Sequence, residues 1–206
     1  MELYEAIEKR RTVRDFQEKI VSEELLNRIL EAGTKAPSHD HARDWHFVVL
    51  RQPEHIAEVL ELVGNGVNVQ NDIIAHWDTA TTCQKDMYYD AIPKQIKMLS
   101  QSRCLVLPLF RAGADLMMPK DISSLNSFAS IWCLIQNILL AATDEGLSCA
   151  LRIPILDEEA YVLKTVHAPE GYRMPCYLAI GYAAPDAKVI QQQDIPFAER
   201  LHREEW

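Results

Sequence analysis

"RRTVRDF", residues 10–16, is the stretch whose reading decides this chain. It places Arg10, Arg11 and Arg14 within five residues of a protein whose formal net charge is −9. Leu3, Ala6 and Ile7 share one helical face just ahead of it, so residues 2–10 read as a short amphipathic helix. In an extended segment beyond that helix, Arg10, Thr12 and Arg14 project to one side. Two guanidinium forks and a hydroxyl on one face form a grip for phosphate oxygens. The same cations also suit a solvated helix C-terminus, where the macrodipole favours positive charge. Spacing alone leaves both readings open.

With 206 residues and 48% hydrophobic composition, the chain is long enough for one well-packed domain, and no Pro/Gly/Ser linker divides it. No stretch reads as the ~20 apolar residues of a membrane span. The N-terminus lacks an apolar signal-peptide core, so a cytoplasmic location is the expectation. The five cysteines are scattered and form no C-x-x-C pair, which suits reduced thiols rather than a disulfide frame. A sequence pI near 5.2 disfavours a nucleic-acid partner.

Ser22 reads as an N-cap with Glu23 and Glu24 in the first turn, followed by the stripe Leu25, Leu26, Ile29, Leu30 and a terminating Gly33. "WHFVVL" (45–50) reads as a buried strand and Pro53 as the start of a helix with Ile56, Val59, Leu60 and Val63 inward. Residues 64–103 read as irregular structure with one or two short helices, a candidate flap over a site. "RCLVLPLF" (103–110), "LSCALRIPI" (147–155) and "MPCYLAIGYA" (174–183) read as strands, and Asp157 as the cap of a helix to about residue 167. "FASIWCLIQNILLAA" (128–142) reads as a helix apolar all round, buried in a core or a subunit interface. Alternating helices and strands with helix dominant give α+β or α/β in several layers.

The familiar phosphate loops are absent: there is no G-x-G-x-x-G and no G-x-x-x-x-G-K-[ST]. Any phosphate must therefore be held by side chains. The polar loop "APSHDHARDWHF" (36–47) leaves a helix for a buried strand, a common position for ligand contacts. Its His39, Asp40 and His41 invite a metal reading. No distant Cys or His pair completes such a site, so ordinary surface histidines are the stronger reading and no metal is expected.

Taken in order, "AIEKRRTVRDF" (6–16) and "APSHDHARDWHFVVL" (36–50) resemble the nitroreductase family of flavin enzymes. "IQNILLAATDEGLSCALRIPI" (135–155), "YLAIGYAAP" (177–185) and "ERLHREEW" (199–206) continue the resemblance. It implies a three-layer α/β/α fold of the α+β class, a central mixed sheet flanked by helices, as one domain over 1–206. A cover at 66–98 and a C-terminal arm at 190–206 complete the expected outline. The resemblance further implies FMN bound at a homodimer interface. Arg10, Thr12 and Arg14, with Arg11 partly through its backbone, would hold the phosphate and ribityl chain. Pro37, Ser38, His39 and His41 would line the flavin, in part from the other subunit. Leu151, Arg152 and Ile153 fall where the family's backbone nears the isoalloxazine edge.

Three departures stand out. Asp44 replaces a proline before Trp45. "QQQDIP" (191–196) lacks a family cation, with Arg11 or Lys188 as substitutes. Arg152 would either stabilise anionic reduced flavin or sit in a salt bridge. The implied activity is ping-pong: NAD(P)H gives hydride and leaves before a nitroaromatic, quinone or similar acceptor enters. No side-chain acid or base is needed, so no catalytic residue is assigned. The rivals are a specialised relative, such as a reductive dehalogenase or flavin-cleaving type, and a non-enzymatic flavin carrier or redox sensor. In the dehalogenases a mid-chain lid brings Glu, Tyr and Lys to the substrate, whereas "QKDMYYDAIPKQIK" (84–97) has Tyr88, Tyr89 and lysines but no Glu.

Overall fold

A computed structural model describes residues 1–63 and 81–206. In chain order the elements are α1 (Leu3–Lys9), α2 (Glu23–Thr34), β1 (Trp45–Leu50), α3 (Pro53–Val59), α4 (Thr82–Ala91), α5 (Gln95–Gln101), β2 (Leu105–Arg111), α6 (Asn126–Asp144), β3 (Ser148–Arg152), α7 (Glu158–Thr165), β4 (Tyr172–Arg173) and β5 (Tyr177–Gly181). The sheet runs β1-β2-β5-β3, with β4 also on β2. Its named ladders are antiparallel, and a parallel bridge from Thr12 to Cys149 makes the sheet mixed.

Both faces of the sheet are buried, which is why its strands read as continuous apolar runs. Val106, Phe110, Leu178 and Ile180 turn to the core shared with α2 and α6. Leu105, Leu107, Leu109, Tyr177 and Ala179 turn to the core shared with α3, α5 and α7. The period-2 alternation of a strand thus divides β2 and β5 between two hydrophobic cores, giving the three layers expected. Pro108 is tolerated in the central strand because it falls between the β5 ladder at Leu105–Val106 and the β4 ladder at Phe110–Arg111.

Ser22 caps α2 as read, its hydroxyl accepting from Leu25 N–H at 3.2 Å. Gly33 does not end that helix. It lies inside the last turn, buried, where α2 crosses α6. Asp157 makes no side-chain cap for α7. The Glu158 carboxylate instead accepts the Ile155 N–H at 3.1 Å. Within one chain helix α6 buries one side: Ile131, Leu134, Ile135 and Ile138 are fully buried, while Ala129, Cys133 and Gln136 face outward. The 23-residue run Ile122–Asp144 is, by length and composition, long and apolar enough to cross a membrane. That corrects the sequence expectation; in this fold the run forms one wall of the core.

A β-carbon at Gly33 would lie 2.6 Å from Ile138 Cγ1, a fully buried side chain with little room to yield. Gly33→Ala should therefore destabilise by ~1–3 kcal/mol through overpacking, outweighing the ~0.8–1 kcal/mol that alanine gains in helix propensity. Urea unfolding of the two proteins reads this directly; a more stable variant would show that the crossing has slack.

Candidate functional site

The residues after α1 leave the helix at Arg10, whose N–H still bonds the Ala6 carbonyl at 2.9 Å. The chain then extends along the outer edge of β3. Val13 N–H donates to Cys149 O at 3.1 Å, and further on Phe16 bridges Ala183 while Gln17 N–H donates to Tyr182 O at 2.9 Å. Val13 and Phe16 are the buried anchors of this segment. The edge of β3 is thereby paired, and the intervening side chains are held over a cleft.

That cleft, about 220 Å³, is lined by Arg10, Arg11, Thr12 and Arg14, by Cys83, Gln84 and Met87 of α4, and by Ile190, Gln191 and Gln192. All four N-terminal residues picked from the sequence meet in it. Arg11 joins Arg10, Thr12 and Arg14 there, so strict alternation is not kept. The Cys83 thiol donates to Gln191 O at 3.0 Å, tying the C-terminal segment to α4. Gln192 lines the cleft where the family cation was missed, and of the two substitutes considered Arg11 is present and Lys188 is not.

The arginines differ in charge state of their surroundings. Arg14 Nη1 donates to Asp90 at 3.1 Å, and Lys94 donates at 2.6 Å to both Asp90 and Asp15. Burial works against the Lys94 ammonium, but its hydrogen bonds to Asp15 and Asp90 outweigh this and hold its pKa above the ordinary lysine value. Arg11 Nη1 donates to the Arg10 carbonyl at 2.8 Å. Neither Arg10 nor Arg11 forms an ion pair with any described residue. Behind the cleft, burial pushes the Cys149 thiol up to about 12, so it is no thiolate at neutral pH.

The strand residues on the same edge divide. Leu151 is half-buried, Ile153 is exposed, and Arg152 is buried. The Arg152 guanidinium forms a two-pronged pair with Glu158 and donates from Nε to Gln95 Oε1 at 2.6 Å. The salt-bridge reading of Arg152 is the one the structure shows, with a buried carboxylate rather than a surface one.

Pro37, Ser38, His39 and His41 do not line the arginine cleft of their own chain. Ser38 and His39 border a separate cavity of about 50 Å³, with Asp44, Arg111, Ser127 and Ser130. His39 N–H donates to Ser130 Oγ at 3.0 Å, while the buried hydroxyls of Ser38 and Ser127 have no partner among the described residues. Asp40, His41 and Arg43 all adopt positive φ, a costly conformation for non-glycine residues. Pro37 and His41 are exposed. Asp44, in the proline position, accepts from Tyr172 and from Arg111 Nε at 2.8 Å. The Tyr172 bond leads in holding Asp44 below the usual carboxylate range, partial burial opposes it, and Arg111 adds to it.

Asp90, Lys94, Gln95 and Glu158 escaped the sequence reading. The i, i+4 spacing of Asp90 and Lys94 was the one available signal. Of the expected cover, 66–80, including Trp77, lies outside the described residues. Its remainder forms α4 and the start of α5, with Tyr89 exposed.

A model of the nitroreductase family matches residues 7–182. The chain belongs to the nitroreductase family. Within it, the chain is 34% identical to an iodotyrosine deiodinase from Haliscomenobacter hydrossis over 203 residues, covering 94% of this chain and 85% of that one. It is 26% identical over 213 residues, 100% of this chain and 88% of the relative, to a Methanothermobacter thermautotrophicus protein whose name proposes an NADH dehydrogenase/NAD(P)H nitroreductase. An oxidised iodotyrosine deiodinase bound to FMN and 3-iodo-L-tyrosine superposes with a TM-score of 0.72 over 100% of both chains, at 20% identity. At that identity the likeness shows the shared fold, in which the nitroreductase-like architecture is the one expected.

Removing one member of a buried ion pair leaves the other charge stranded, which costs ~3–5 kcal/mol, whereas replacing both by apolar residues is often neutral. Glu158→Ala should therefore destabilise by ~3–5 kcal/mol in denaturant unfolding, and Arg152→Met with Glu158→Leu should recover most of it. An unchanged midpoint for Glu158→Ala would mean the pair is solvated.

Proposed function

We propose that this protein is an FMN-dependent oxidoreductase that passes electrons from NAD(P)H to a small electrophilic acceptor, a nitroaromatic, quinone or similar compound. The observation that carries this reading is the meeting of Arg10, Arg11, Thr12 and Arg14 in one cleft on the β3 edge, inside a nitroreductase-family chain. The donor set fits the cofactor's anionic end: planar guanidinium groups match phosphate oxygens two at a time, and two of them have no carboxylate partner among the described residues. Thr12 adds a hydroxyl for the ribityl chain. Bound FMN supplies the two-electron hydride chemistry, so the protein's part is binding, orientation and exclusion of water.

At about 220 Å³ the cleft is smaller than the ~300–1,000 Å³ of a typical ligand site. A second copy supplying the 37–41 loop would complete it. Leu3 and Tyr4 on α1, Cys133 on α6, and Phe197 and Trp206 in the tail are exposed in one chain, as a homodimer with an exchanged C-terminal arm would need. Nothing in this reading requires a side-chain acid or base. The described part of the 66–98 segment borders the cleft through Cys83, Gln84 and Met87, and in this reading Tyr88 and Tyr89 of the same helix select the acceptor.

Reductive dehalogenation is the second reading, favoured by the 34% identity to a deiodinase. Against it, residues 84–97 hold no Glu.

The purified protein should be yellow, with absorbance near ~375 and ~450 nm from the cofactor's own chromophore. Arg10→Ala should weaken FMN binding about tenfold or more, since a charge-assisted hydrogen bond is worth ~1.5–3 kcal/mol. Steady NAD(P)H oxidation with menadione or a nitroaromatic supports the first reading. Iodide release from 3-iodotyrosine outpacing that turnover selects the second, and a flavin that never turns over marks a carrier.

Light scattering should give twice the 23.5 kDa chain mass. Deleting residues 196–206 should lower both dimer stability and flavin retention. A 23.5 kDa particle that keeps its flavin would refute the shared site.

A further inference from the structure

The junction of α4 and α5 reaches two places along the β3 edge at once. Asp90 and Lys94 engage Arg14 and Asp15 on the N-terminal segment, and Gln95 engages Arg152 at the end of β3. Asp90 is the hub, with a side chain only 2% exposed and Arg14 at 11%. Its two oxygens are divided, Oδ2 to Arg14 and Oδ1 to Lys94. Counting formal charges, Arg14 and Lys94 are balanced by Asp90 and Asp15. Arg152 is balanced by Glu158. Among the described residues, the uncompensated cations of the cleft are therefore Arg10 and Arg11.

We propose that Asp90 is a positioning residue that holds the Arg14 guanidinium in the cleft while cancelling its charge, and so limits how tightly this site holds an anion. This rests on the reading of the cleft as a phosphate site. Its functional sense is a division of labour. Arg10 and Arg11 supply net attraction, whereas Arg14 supplies donors of fixed geometry without adding charge. A buried hub also fixes α4, whose Cys83, Gln84 and Met87 form the opposite wall.

A purely structural Asp90 and a charge-cancelling Asp90 predict opposite signs. Asp90→Asn keeps the size and one acceptor oxygen but removes the negative charge. Unit charges several ångströms apart near a protein surface interact strongly enough that FMN should then bind about three- to tenfold more tightly. The gain should shrink in 0.5 M salt, as screening requires. Arg14→Met should weaken binding, and adding Asp90→Asn to it should recover about three- to tenfold, short of wild type because the Arg14 donors are gone. Apoprotein prepared by flavin removal is titrated with FMN and, separately, with inorganic pyrophosphate, and folding of each variant is checked by its melting temperature. Weaker or equal binding in folded Asp90→Asn overturns the proposal, as does a double variant that binds no more tightly than Arg14→Met. If Asp90→Asn does not fold, the double variant decides: no gain there over Arg14→Met overturns the charge balance. If wild type binds pyrophosphate but not FMN, the flavin reading fails while the same series with pyrophosphate still judges Asp90. If it binds neither, both fail.

Discussion

The backbone pairing of residues 12–17 with the edge of β3 and the end of β5 is the constraint on which the candidate site depends. The exposed edge of a sheet is a row of unsatisfied donors and acceptors, a liability that proteins cover. Here the cover is the chain's own N-terminal segment, bonded at Val13 to Cys149 and at Gln17 to Tyr182. Burial of Val13 and Phe16 fixes its depth. Phe16 packs so closely that a β-carbon at Gly181 would lie 2.9 Å from its ring. With those anchors set, the arginines between α1 and Phe16 have nowhere to go but over the edge of the sheet.

What the site does with that placement is decided by electrostatics rather than by shape. Six charged groups are drawn partly or wholly below the surface along this edge: Arg14, Asp15, Asp90, Lys94, Arg152 and Glu158. Each cation among them faces a carboxylate, because an unpaired buried charge is costly. The arginines left over are the ones nearest the end of α1. An anion approaching the cleft therefore meets a graded surface, positive at Arg10 and Arg11 and balanced from Arg14 to Arg152.

The second polar cavity is built differently. It lies between the strained 39–43 loop and the start of α6, with the hydroxyls of Ser38 and Ser127 unpartnered among the described residues. Three non-glycine residues in the left-handed region are held there by bonds from outside the loop, His39 to Ser130 and Asp44 to Tyr172 and Arg111. Strain retained by surrounding structure is a common feature of ligand-binding loops. In one chain this loop and the arginine cleft stay apart.

The sequence by itself determined the layered class, the strand cores, the N-cap at Ser22 and the cluster Arg10, Arg11, Thr12 and Arg14, because these are local: periodicity, caps and adjacent like charges are written in neighbouring residues. Its errors were also local in origin. Gly33 reads as a helix stop until Ile138, more than a hundred positions away, shows that the missing side chain makes room for a crossing. Asp157 reads as a cap until Glu158 is found occupied with both Ile155 and Arg152. Only the tertiary structure decided which arginines lack a carboxylate among the described residues. Asp90 lies 76 positions from Arg14 and Gln95 lies 57 from Arg152. Charges so distant in the chain are brought together by packing on a common sheet edge, and no spacing rule in the sequence encodes that meeting.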